Sequence, residues 1–572
     1  MTMINMNTEN NNNFRSGAVL LVVLFIIMVI TVLSLGFISR SDVELACGQN
    51  MILRTQMDYL AESGLEHAKG LILNPQDIDT EYFTGATNQQ LVAGSNDYYS
   101  IDIVRDESDP NDQCNYTIDC NSYRSRNGEE IGRSSITATL RLDPCIALWT
   151  GTNTIINNQT EIFGDVFCNG ALNNKGIIEG DAFSNYLWGN DITGRRYAVN
   201  ELSLNWPGVT VDGFKDRAGV TYQSGNYTLT DDISGMLLVD GDLTIQSGSE
   251  LSIIAGKNQP ALYVTGDLII EKHADLNIEG LAAVDGQIII DGDANMNVAG
   301  GLFTGETISE AASDLSGSND YAILYNGPEW ATGKYDGGLR FDGINDKVEN
   351  FTLPDSINGL SAITLSLWVK SDVTYQDRDI LFTREPTDDD NELGIRYDRN
   401  GAYGSGSSGI KASIKTTSGY TQIESSSNVQ TTGWQHLVLT WENDPNDSRL
   451  KLYINGALDT PRYDKGPVTG TITGIQKLML GCGTKNTYWD GLIDDVRIYG
   501  RQLSSSEIQD LYNNNVVSDS DLILHWQFNE AGTNISITAA PSKAAVLIWS
   551  EDGDVEKWGQ AAGAFFRSIE RR

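Results

Sequence analysis

The sequence predicts a multidomain, mainly β protein with one N-terminal transmembrane α-helix. Three observations support this class: an uncharged run from Gly17 to Ile38, a Gly-Asp phrase that recurs between about Cys145 and Phe303, and alternating strands between about Leu315 and Tyr512. At 572 residues the chain exceeds what one core usually organises. We therefore divide it into a leader, a helix with an α/β head, a repeat region, an antiparallel β-sandwich and a tail, at residues 1–17, 18–144, 145–305, 306–515 and 516–572.

The uncharged run is long enough to cross a membrane. Its roughly 22 residues would span about 33 Å as a helix, against a hydrocarbon core of about 30 Å. A signal peptide has a shorter apolar core and a small-residue cleavage site, so we interpret the run as a permanent anchor. The anchor predicts a single-pass protein of the cytoplasmic membrane, with its bulk outside the cytoplasm.

A one-faced helix follows the apolar run, because apolar residues from Ile52 to Ile72 recur mostly at spacings of three and four. Pro75 ends it. Three alternating segments then predict antiparallel strands packed on this half of the helix: DYYSIDIV, NYTIDCNSYR and SSITATLRL. The simpler alternative is an ordinary membrane-anchored domain.

The segments RSGAVLLVVLFIIMVITVLSLGF (15–37) and YLAESGLEHA (59–68) resemble the N-terminus of PilX-type minor pilins and the minor pseudopilins of secretion systems. The resemblance implies a pilin-like α/β head. It also implies a place in a type IV pilus or a type II secretion-like pseudopilus, with other pilins or pseudopilins packed on the N-terminal helix. In that family a prepilin peptidase would cut after Gly17 and leave Ala18 as the new N-terminus. The chain departs from major pilins at Val22, where they carry glutamate.

The net charge of −38 argues against nucleic acid and anionic lipid as partners, and it is compatible with calcium. None of the six cysteines forms a C-x-x-C pair and the four histidines are scattered, which argues against zinc. An exported compartment permits disulfide bonds, whose pairing stays open among Cys114, Cys120, Cys145 and Cys168.

The repeat region is typical of a parallel β-helix. Its phrases stand at Phe163, Glu179, Asp240, Thr265 and Asp285. Apart from one long gap, their spacing of roughly 16–25 residues suits coils that stack Val and Ile inward. The region resembles β-helical segments of polymer-forming and cell-surface proteins. Asp242, Asp267 and Asp285 could be the carboxylates of a polysaccharide lyase, but turn chemistry beside glycine explains them better.

The most specific resemblance lies between about Leu315 and Tyr512, to the laminin-G-like, concanavalin A-like jellyroll domains of bacterial surface proteins. Its segments are 324–348, 363–370, 433–442, 450–458 and 488–512. The resemblance implies a two-sheet antiparallel sandwich, and the alternation of Leu365, Leu367 and Val369 predicts the one-sided strands that it needs.

Domains of this family often hold a structural calcium ion and sometimes bind glycans. The candidate calcium ligands are Asp342, Asp346, Asp494 and Asp495. Alternatively, these residues cap turns and pair with Arg340 or Arg497. The candidate sugar-stacking residues are Tyr403, Tyr420, Tyr488 and Trp489, which are also ordinary packing residues in sandwiches.

The tail contains LILHWQFNEAG (522–532), which resembles the opening strand of a jellyroll although it follows the jellyroll. It either completes the sandwich or belongs to a displaced copy. The segment AAVLIW (544–549) predicts one further strand.

These observations favour a non-enzymatic, membrane-anchored, pilin-like surface protein that carries a jellyroll for adhesion or carbohydrate binding. One alternative is a membrane-tethered polysaccharide-active enzyme, which needs paired carboxylates in one cleft or a nucleophile with a positioned base. The sequence shows neither, because His436 lies within a strand pattern and His525 stands beside Trp526. The other alternative is a purely structural envelope protein.

Overall fold

The fold is mainly β, as the sequence predicts, with 48% strand and 15% helix. The computed structural model describes residues 13–73, 83–105, 115–143, 145–198, 210–256, 259–316, 321–383, 393–400, 408–483, 487–514, 517–539 and 563–571. These residues form one long helix, a five-stranded antiparallel sheet, a stack of parallel coils and an antiparallel sandwich.

The first element is a single helix, α1 (Asn13–Leu73), whose two halves differ. Residues 19–50 are all exposed, so the apolar ones among them are not covered by any other part of the chain that the structure describes. Met57, Ala61 and Leu65, in contrast, are buried against the head. Within the described residues α1 is the one helix long and apolar enough to cross a membrane.

The head sheet packs on the second half of α1. Its first four strands are β1 (Gly85–Gln89), β2 (Asp97–Arg105), β3 (Asn115–Arg126) and β4 (Glu129–Asp143). All neighbours pair antiparallel, and the three alternating segments predicted from the sequence form β2, β3 and β4. Asn127 and Gly128 both have positive φ, which a tight hairpin between β3 and β4 requires.

Four cysteines carry free thiols, namely Cys47, Cys120, Cys168 and Cys482. The bridges that the sequence left open through Cys120 or Cys168 are therefore not formed. Cys120 packs against α1 instead, where burial raises the pKa of its thiol to about 12. A Cβ on Gly64 of the helix would collide with the Cys120 sulfur, so glycine allows this close packing. Cys114 lies outside the described residues, and any bridge that it makes stays a prediction.

The parallel coils are built from two separate stretches of chain. The first contributes β5 (Ile146–Thr150), β6 (Thr154–Ile156), β7 (Thr160–Phe163), β8 (Asp165–Asn174), β9 (Ile177–Glu179), β10 (Ala182–Gly189) and β11 (Arg196–Ala198). After a short helix, α2 (Val211–Phe214), the second contributes β12 (Val220–Ser224), β13 (Tyr227–Leu229), β14 (Ile233–Ser234), β15 (Met236–Asp240), β16 (Leu243–Ile245), β17 (Glu250–Ile254), β18 (Leu262–Val264), β19 (Leu268–Ile270), β20 (Asp275–Glu279), β21 (Ala282–Val284), β22 (Ile288–Asp291), β23 (Asn295–Ala299), β24 (Leu302–Thr304) and β25 (Ile308–Ala312).

The order of the coils in space differs from their order in the chain. One parallel sheet runs β12-β15-β18-β21-β24-β5-β8-β10-β11. The first stretch starts at β5 in the middle of this sheet and adds strands outward to β11 at one edge. The second stretch starts at β12 on the opposite edge and adds strands inward until β24 pairs with β5. Strands β13, β16, β19, β22 and β25 form a second face in the same way.

The sandwich follows β25. Its elements are β26 (Ala322–Tyr325), β27 (Glu329–Tyr335), β28 (Gly337–Asp342), β29 (Lys347–Asn350), α3 (Pro354–Ile357), β30 (Ala362–Ser371), β31 (Arg378–Phe382), β32 (Gly394–Asp398), β33 (Gly409–Thr416), β34 (Gly419–Glu424), β35 (Gln435–Glu442), β36 (Lys451–Ile454), β37 (Ala457–Leu458), β38 (Tyr463–Asp464), β39 (Leu478–Leu480), β40 (Asp490–Tyr499), α4 (Ser505–Tyr512) and β41 (Leu522–Trp526).

One sheet of the sandwich has the order β27-β28-β40-β30-β35-β36-β37, and β41 also pairs with β40. The other runs β26-β29-β39-β31-β32-β33-β34-β38. Leu365, Leu367 and Val369 are fully buried between the sheets, but the strand is not one-sided as predicted, because Thr364, Ser366 and Trp368 on its other face are buried as well. The segment from Leu522 thus completes the sandwich, the first of the two interpretations given above. The predicted strand 544–549 lies outside the described residues.

The sandwich is inserted into one coil of the parallel stack. The chain leaves the coils after β25, which pairs antiparallel with β26, so a face of the coils continues into a sheet of the sandwich. It returns as β42 (Asn534–Thr538), which pairs parallel with both β23 and β7. The third face therefore runs β14-β17-β20-β23-β42-β7-β9. A last strand, β43 (Gly563–Arg571), pairs with β4 of the head.

Candidate functional site

A cleft of about 410 Å³ lies where the coils meet the sandwich. Its walls come from the coil strands β6, β8, β10 and β25 and from the loop after β26. Five asparagines contribute to the lining, namely Asn153, Asn157, Asn173, Asn326 and Asn345. An amide side chain offers both donors and an acceptor, so these walls can hydrogen-bond a polar, uncharged ligand.

An exposed aromatic pair stands at the coil side of this cleft. Trp188 lines the cleft and is 56% exposed, and Tyr186, two residues earlier on β10, is 59% exposed. Residues two apart on a strand face the same side. The two rings stack with centroids 6.1 Å apart and planes 16° apart, which presents a flat apolar surface to solvent.

A buried carboxylate, Glu310, closes the inner wall of the cleft. In register it continues a ladder of inward-facing isoleucines, since Ile270 pairs with Ile290 and Ile290 with Glu310. Its oxygens accept hydrogen bonds from Thr533 Oγ1 at 2.7 Å and Trp330 Nε1 at 3.0 Å, and the Thr533 backbone and the Asn157 side chain also hydrogen-bond it. Burial nevertheless raises the pKa of Glu310 above its usual value.

The sequence contains a signal for Glu310. The coil strands read LTI, LII and III at 243–245, 268–270 and 288–290, and the next reads ISE at 308–310. A carboxylate in a buried isoleucine position costs free energy unless it is hydrogen-bonded, so it marks a special position. Trp188 and the asparagines gave no such signal, because strands far apart in the chain bring them together.

The predicted calcium ligands Asp342 and Asp346 lie together in the loop between β28 and β29. The Asp342 backbone N–H donates to Asp346 Oδ2 at 2.9 Å, and Asp342 Oδ1 accepts from the Ile344 N–H at 2.8 Å. Burial and then the charge of Asp342 raise the pKa of Asp346 to about 7. Asp346 Oδ1 is buried and has no hydrogen-bond partner among the described residues.

The other two predicted ligands lie on β40 and accept hydrogen bonds within the protein, although Asp494 Oδ1, like Asp346 Oδ1, is buried without a hydrogen-bond partner among the described residues. Asp494 Oδ2 accepts the backbone N–H groups of Lys334 and Tyr335 at 2.7 and 2.9 Å. Asp495 pairs with Arg497 at 3.0 Å and with His525 Nε2 at 2.8 Å. Burial alone would raise the pKa of Asp495, but the His525 hydrogen bond and the Arg497 charge outweigh it and lower that pKa.

The alternatives noted for these aspartates therefore hold in part. Asp495 does pair with Arg497, whereas Arg340 pairs with Asp372 rather than with Asp342. Within the ranges that the structure describes, no group of three or more His, Cys, Asp or Glu side chains is placed to hold a metal ion. A cation at Asp342 and Asp346 would need backbone carbonyls or water as its remaining ligands.

The predicted sugar-stacking aromatics differ from one another in burial. Trp489 is fully buried, and its indole N–H donates to the Leu492 carbonyl at 3.3 Å, so it is a packing residue. Tyr488 is half-buried. Tyr420 is 39% exposed with the Lys465 ammonium 3.0 Å from its ring centroid. Tyr403 lies outside the described residues.

The repeated aspartates have a structural role in the coils. Asp242 Oδ1 accepts the backbone N–H of Asp267 at 2.9 Å, and Asp267 Oδ1 accepts that of Gln287 at 3.0 Å. In the other stretch, Asp165 accepts the N–H of Asp181 at 2.8 Å. Each carboxylate thus ties its own coil to the next, which supports turn chemistry over a row of catalytic acids.

The histidines also have structural partners. His436 is 1% exposed, its Nε2 lies 2.8 Å from Ser366 Oγ, and its ring stacks on Trp368 with centroids 4.9 Å apart. Burial lowers the pKa of His436 to about 4, so its ring is neutral at physiological pH. Ser366 is also 1% exposed, so both members of the pair are buried in the sandwich.

Comparison with known proteins defines the class of the sandwich. The Laminin_G_3 family, described as the concanavalin A-like lectin/glucanases superfamily, matches residues 342–509. The C-terminal part of the chain therefore contains a laminin-G, concanavalin A-like jellyroll domain, as its segments predicted. The match covers less than a third of the chain. No curated protein matches the chain.

Solved structures with partial similarity include domain 4 of AbnA, a GH43 extracellular arabinanase from Geobacillus stearothermophilus, in complex with arabinotriose. It is 21% identical over 33% of this chain and 82% of that one, with a TM-score of 0.24. The binding domain of Paraclostridial Mosquitocidal Protein 1 is 20% identical over 35% of this chain and 49% of that one, with a TM-score of 0.28. The Botulinum Neurotoxin serotype G binding domain is 15% identical over 35% and 47%, with a TM-score of 0.27. The chain thus spans about half the length of these last two.

Proposed function

We propose that the chain is a membrane-anchored surface protein that holds a glycan-binding jellyroll on a stalk of parallel β-helical coils and catalyses no reaction. The observation that carries the proposal is the division of α1. Its first half exposes apolar side chains at residues 19–38, while its second half is buried on the head. Because exposed apolar surface of this extent is unfavourable in water, the first half requires lipid or neighbouring helices around it.

A pilin-like assembly is the form of anchoring that we favour. A long helix with an antiparallel sheet packed on its second half leaves the first half free to pack among equivalent helices of other pilins or pseudopilins. Gly17 and Ala18 lie within α1, so cleavage between them would leave the apolar half at the very N-terminus. The lectin superfamily of the jellyroll and the net charge of −38 support glycans rather than nucleic acid as the other partner.

Prepilin processing predicts the N-terminus of the mature protein. We expect N-terminal sequencing of material from sheared cell surfaces to begin at Ala18, and a Gly17→Trp variant to keep its leader and stay in the membrane. Mature wild-type protein that keeps its leader would favour the alternative of a purely structural envelope protein. A soluble form lacking its first forty or so residues would contradict anchoring altogether.

A structural calcium ion at Asp342 and Asp346 is a second proposal, supported by the buried and unpartnered Asp346 Oδ1. Calcium prefers carboxylate oxygen, and a carboxylate must be deprotonated to bind it. Its chemistry here would be charge neutralisation within the loop between β28 and β29.

The raised pKa of Asp346 makes this proposal testable by pH. Its pKa is about 7 when folded and about 4 in an unfolded chain. In a calcium chelator we therefore expect this group's contribution to stability to be full below pH 4 and lost as the pH rises through 7. Asp346→Asn should remove that slope and stabilise the chelated protein at pH 8 by about 1–3 kcal/mol.

Bound calcium should reverse the order of stability that we expect for wild type and Asp346→Asn in chelator at pH 8. Added calcium should raise the Tm of the wild type more at pH 8 than at pH 5, and leave the Asn variant unchanged. Asp336→Asn is the matched control, since Asp336 is exposed and its positive φ suits asparagine equally well. An equal response of wild type and Asp346→Asn to calcium would contradict this site.

A further inference from the structure

We propose that the cleft between the coils and the jellyroll binds a neutral oligosaccharide, which stacks on Trp188 and hydrogen-bonds the asparagines of the walls. The inference rests on the proposed function, because it names the site and the class of glycan. A volume of about 410 Å³ is within the range of about 300–1,000 Å³ that is typical of small-molecule sites.

The aromatic surface is the first part of the argument. Trp188 and Tyr186 are both more than half exposed, and they stack on each other rather than on the protein core. Aromatic rings with one apolar face in water are typical of binding surfaces. The C–H face of a sugar ring has the flat, apolar shape that such a surface accepts.

The amides lie beside this surface in a fixed arrangement. Asn173 on β8 is the register partner of Trp188 on β10, so the amide and the indole are neighbours on adjacent strands. On the opposite wall the Asn326 side chain donates to the Asn345 carbonyl at 2.8 Å, which holds that loop in place. Sugar hydroxyls both donate and accept, as amides do, and the two walls can therefore share one ligand.

The charge of the cleft selects neutral sugars. Among the described residues that line it, Glu310 is the one charged group, and Thr533 and Trp330 hold its oxygens. The neighbouring cations Lys175 and Lys347 are paired with Glu329 at 3.3 Å and Glu349 at 2.7 Å. With a net charge of −38 around it, the cleft offers an anionic glycan no counter-charge.

The test uses the full chain in detergent micelles and titration calorimetry with four probes. Three are neutral (cellohexaose, mannohexaose and arabinohexaose), and hexagalacturonate is their anionic counterpart. We expect binding to at least one neutral hexasaccharide and none to hexagalacturonate. Trp188→Ala should weaken that binding at least about tenfold, because it removes the stacking surface.

Two further variants separate a site effect from a folding effect. Asn345→Trp places a bulky ring at an exposed position of the cleft wall and should abolish binding by filling the cleft. Tyr375→Ala removes a 52% exposed aromatic outside the cleft lining and should leave binding unchanged. Trp188 is more than half exposed, so its variant should unfold at the wild-type temperature.

Each outcome is decisive. Wild-type affinity in both Trp188→Ala and Asn345→Trp would overturn the inference and leave the glycan-binding function to another surface. Preference for hexagalacturonate would overturn the neutral class. If the wild type binds none of the neutral probes, both the inference and the glycan-binding part of the proposed function fail, while anchoring is judged separately by the N-terminal sequence.

Discussion

Replacing Ile537 with aspartate is expected to destabilise the protein by more than about 4 kcal/mol, although this residue lies in the last part of the chain. Ile537 is fully buried in β42. In register it stands between Val298 of β23 and Ile162 of β7. An aspartate there would bury an unpaired charge in the middle of an apolar ladder that joins both stretches of coils.

The measurement is denaturant unfolding of the full chain, with Ser536→Asp as the matched control. Ser536 is the next residue on the same strand and is half-buried, so the same carboxylate can reach water there. We expect the control to stay within about 1 kcal/mol of the wild type. Equal, small effects of both substitutions would mean that β42 does not complete the coils.

The same topology explains what the sequence predicted well and what it did not. The phrases around Asp242 and Asp267 predict stacked coils because the aspartate of each phrase accepts a hydrogen bond from a backbone N–H of the next coil. The sequence pattern does not assign the strand at 534–538 to the coils. Its partners, β23 and β7, lie more than two hundred residues away, and period-two alternation does not say which strand pairs with which.

The candidate sites show the same limit, since a local sequence pattern predicts neighbours in one loop but not contacts between distant strands. Asp342 and Asp346 are four residues apart, so the sequence alone placed them in one loop. The sequence predicts Trp489 as a sugar-stacking residue, but it is fully buried, because composition does not tell which face of a strand meets the core. The cleft needs three separated stretches of chain, around residues 153–188, 307–310 and 324–345, and no local pattern predicts that they meet.

Glu310 is the second position at which we expect a large effect, because its carboxylate joins both crossings between the coils and the jellyroll. Trp330 lies on β27, just after the chain enters the sandwich, and Thr533 lies just before it returns as β42. Glu310→Ala would leave the buried Thr533 hydroxyl and the half-buried Trp330 indole without their acceptor. At about 1–3 kcal/mol for each, the expected loss is about 2–6 kcal/mol, measured by denaturant unfolding. The matched control is Glu329→Ala, which removes a half-exposed carboxylate paired with Lys175 and should cost less than about 1 kcal/mol.

The isosteric variant Glu310→Gln separates the hydrogen bonds from the charge. A glutamine can accept from the Trp330 indole and donate to the Thr533 hydroxyl, which can turn to accept. Burial raises the folded-state pKa of Glu310 above the unfolded value, so its contribution to wild-type stability is full below about pH 4 and is lost as the pH rises through the folded-state pKa. We therefore expect Glu310→Gln to match the wild type near pH 4 and to become the more stable protein at higher pH. Equal pH slopes for the two proteins would show that Glu310 is ionised as readily in the folded as in the unfolded chain, and that burial at this junction does not disfavour its charge.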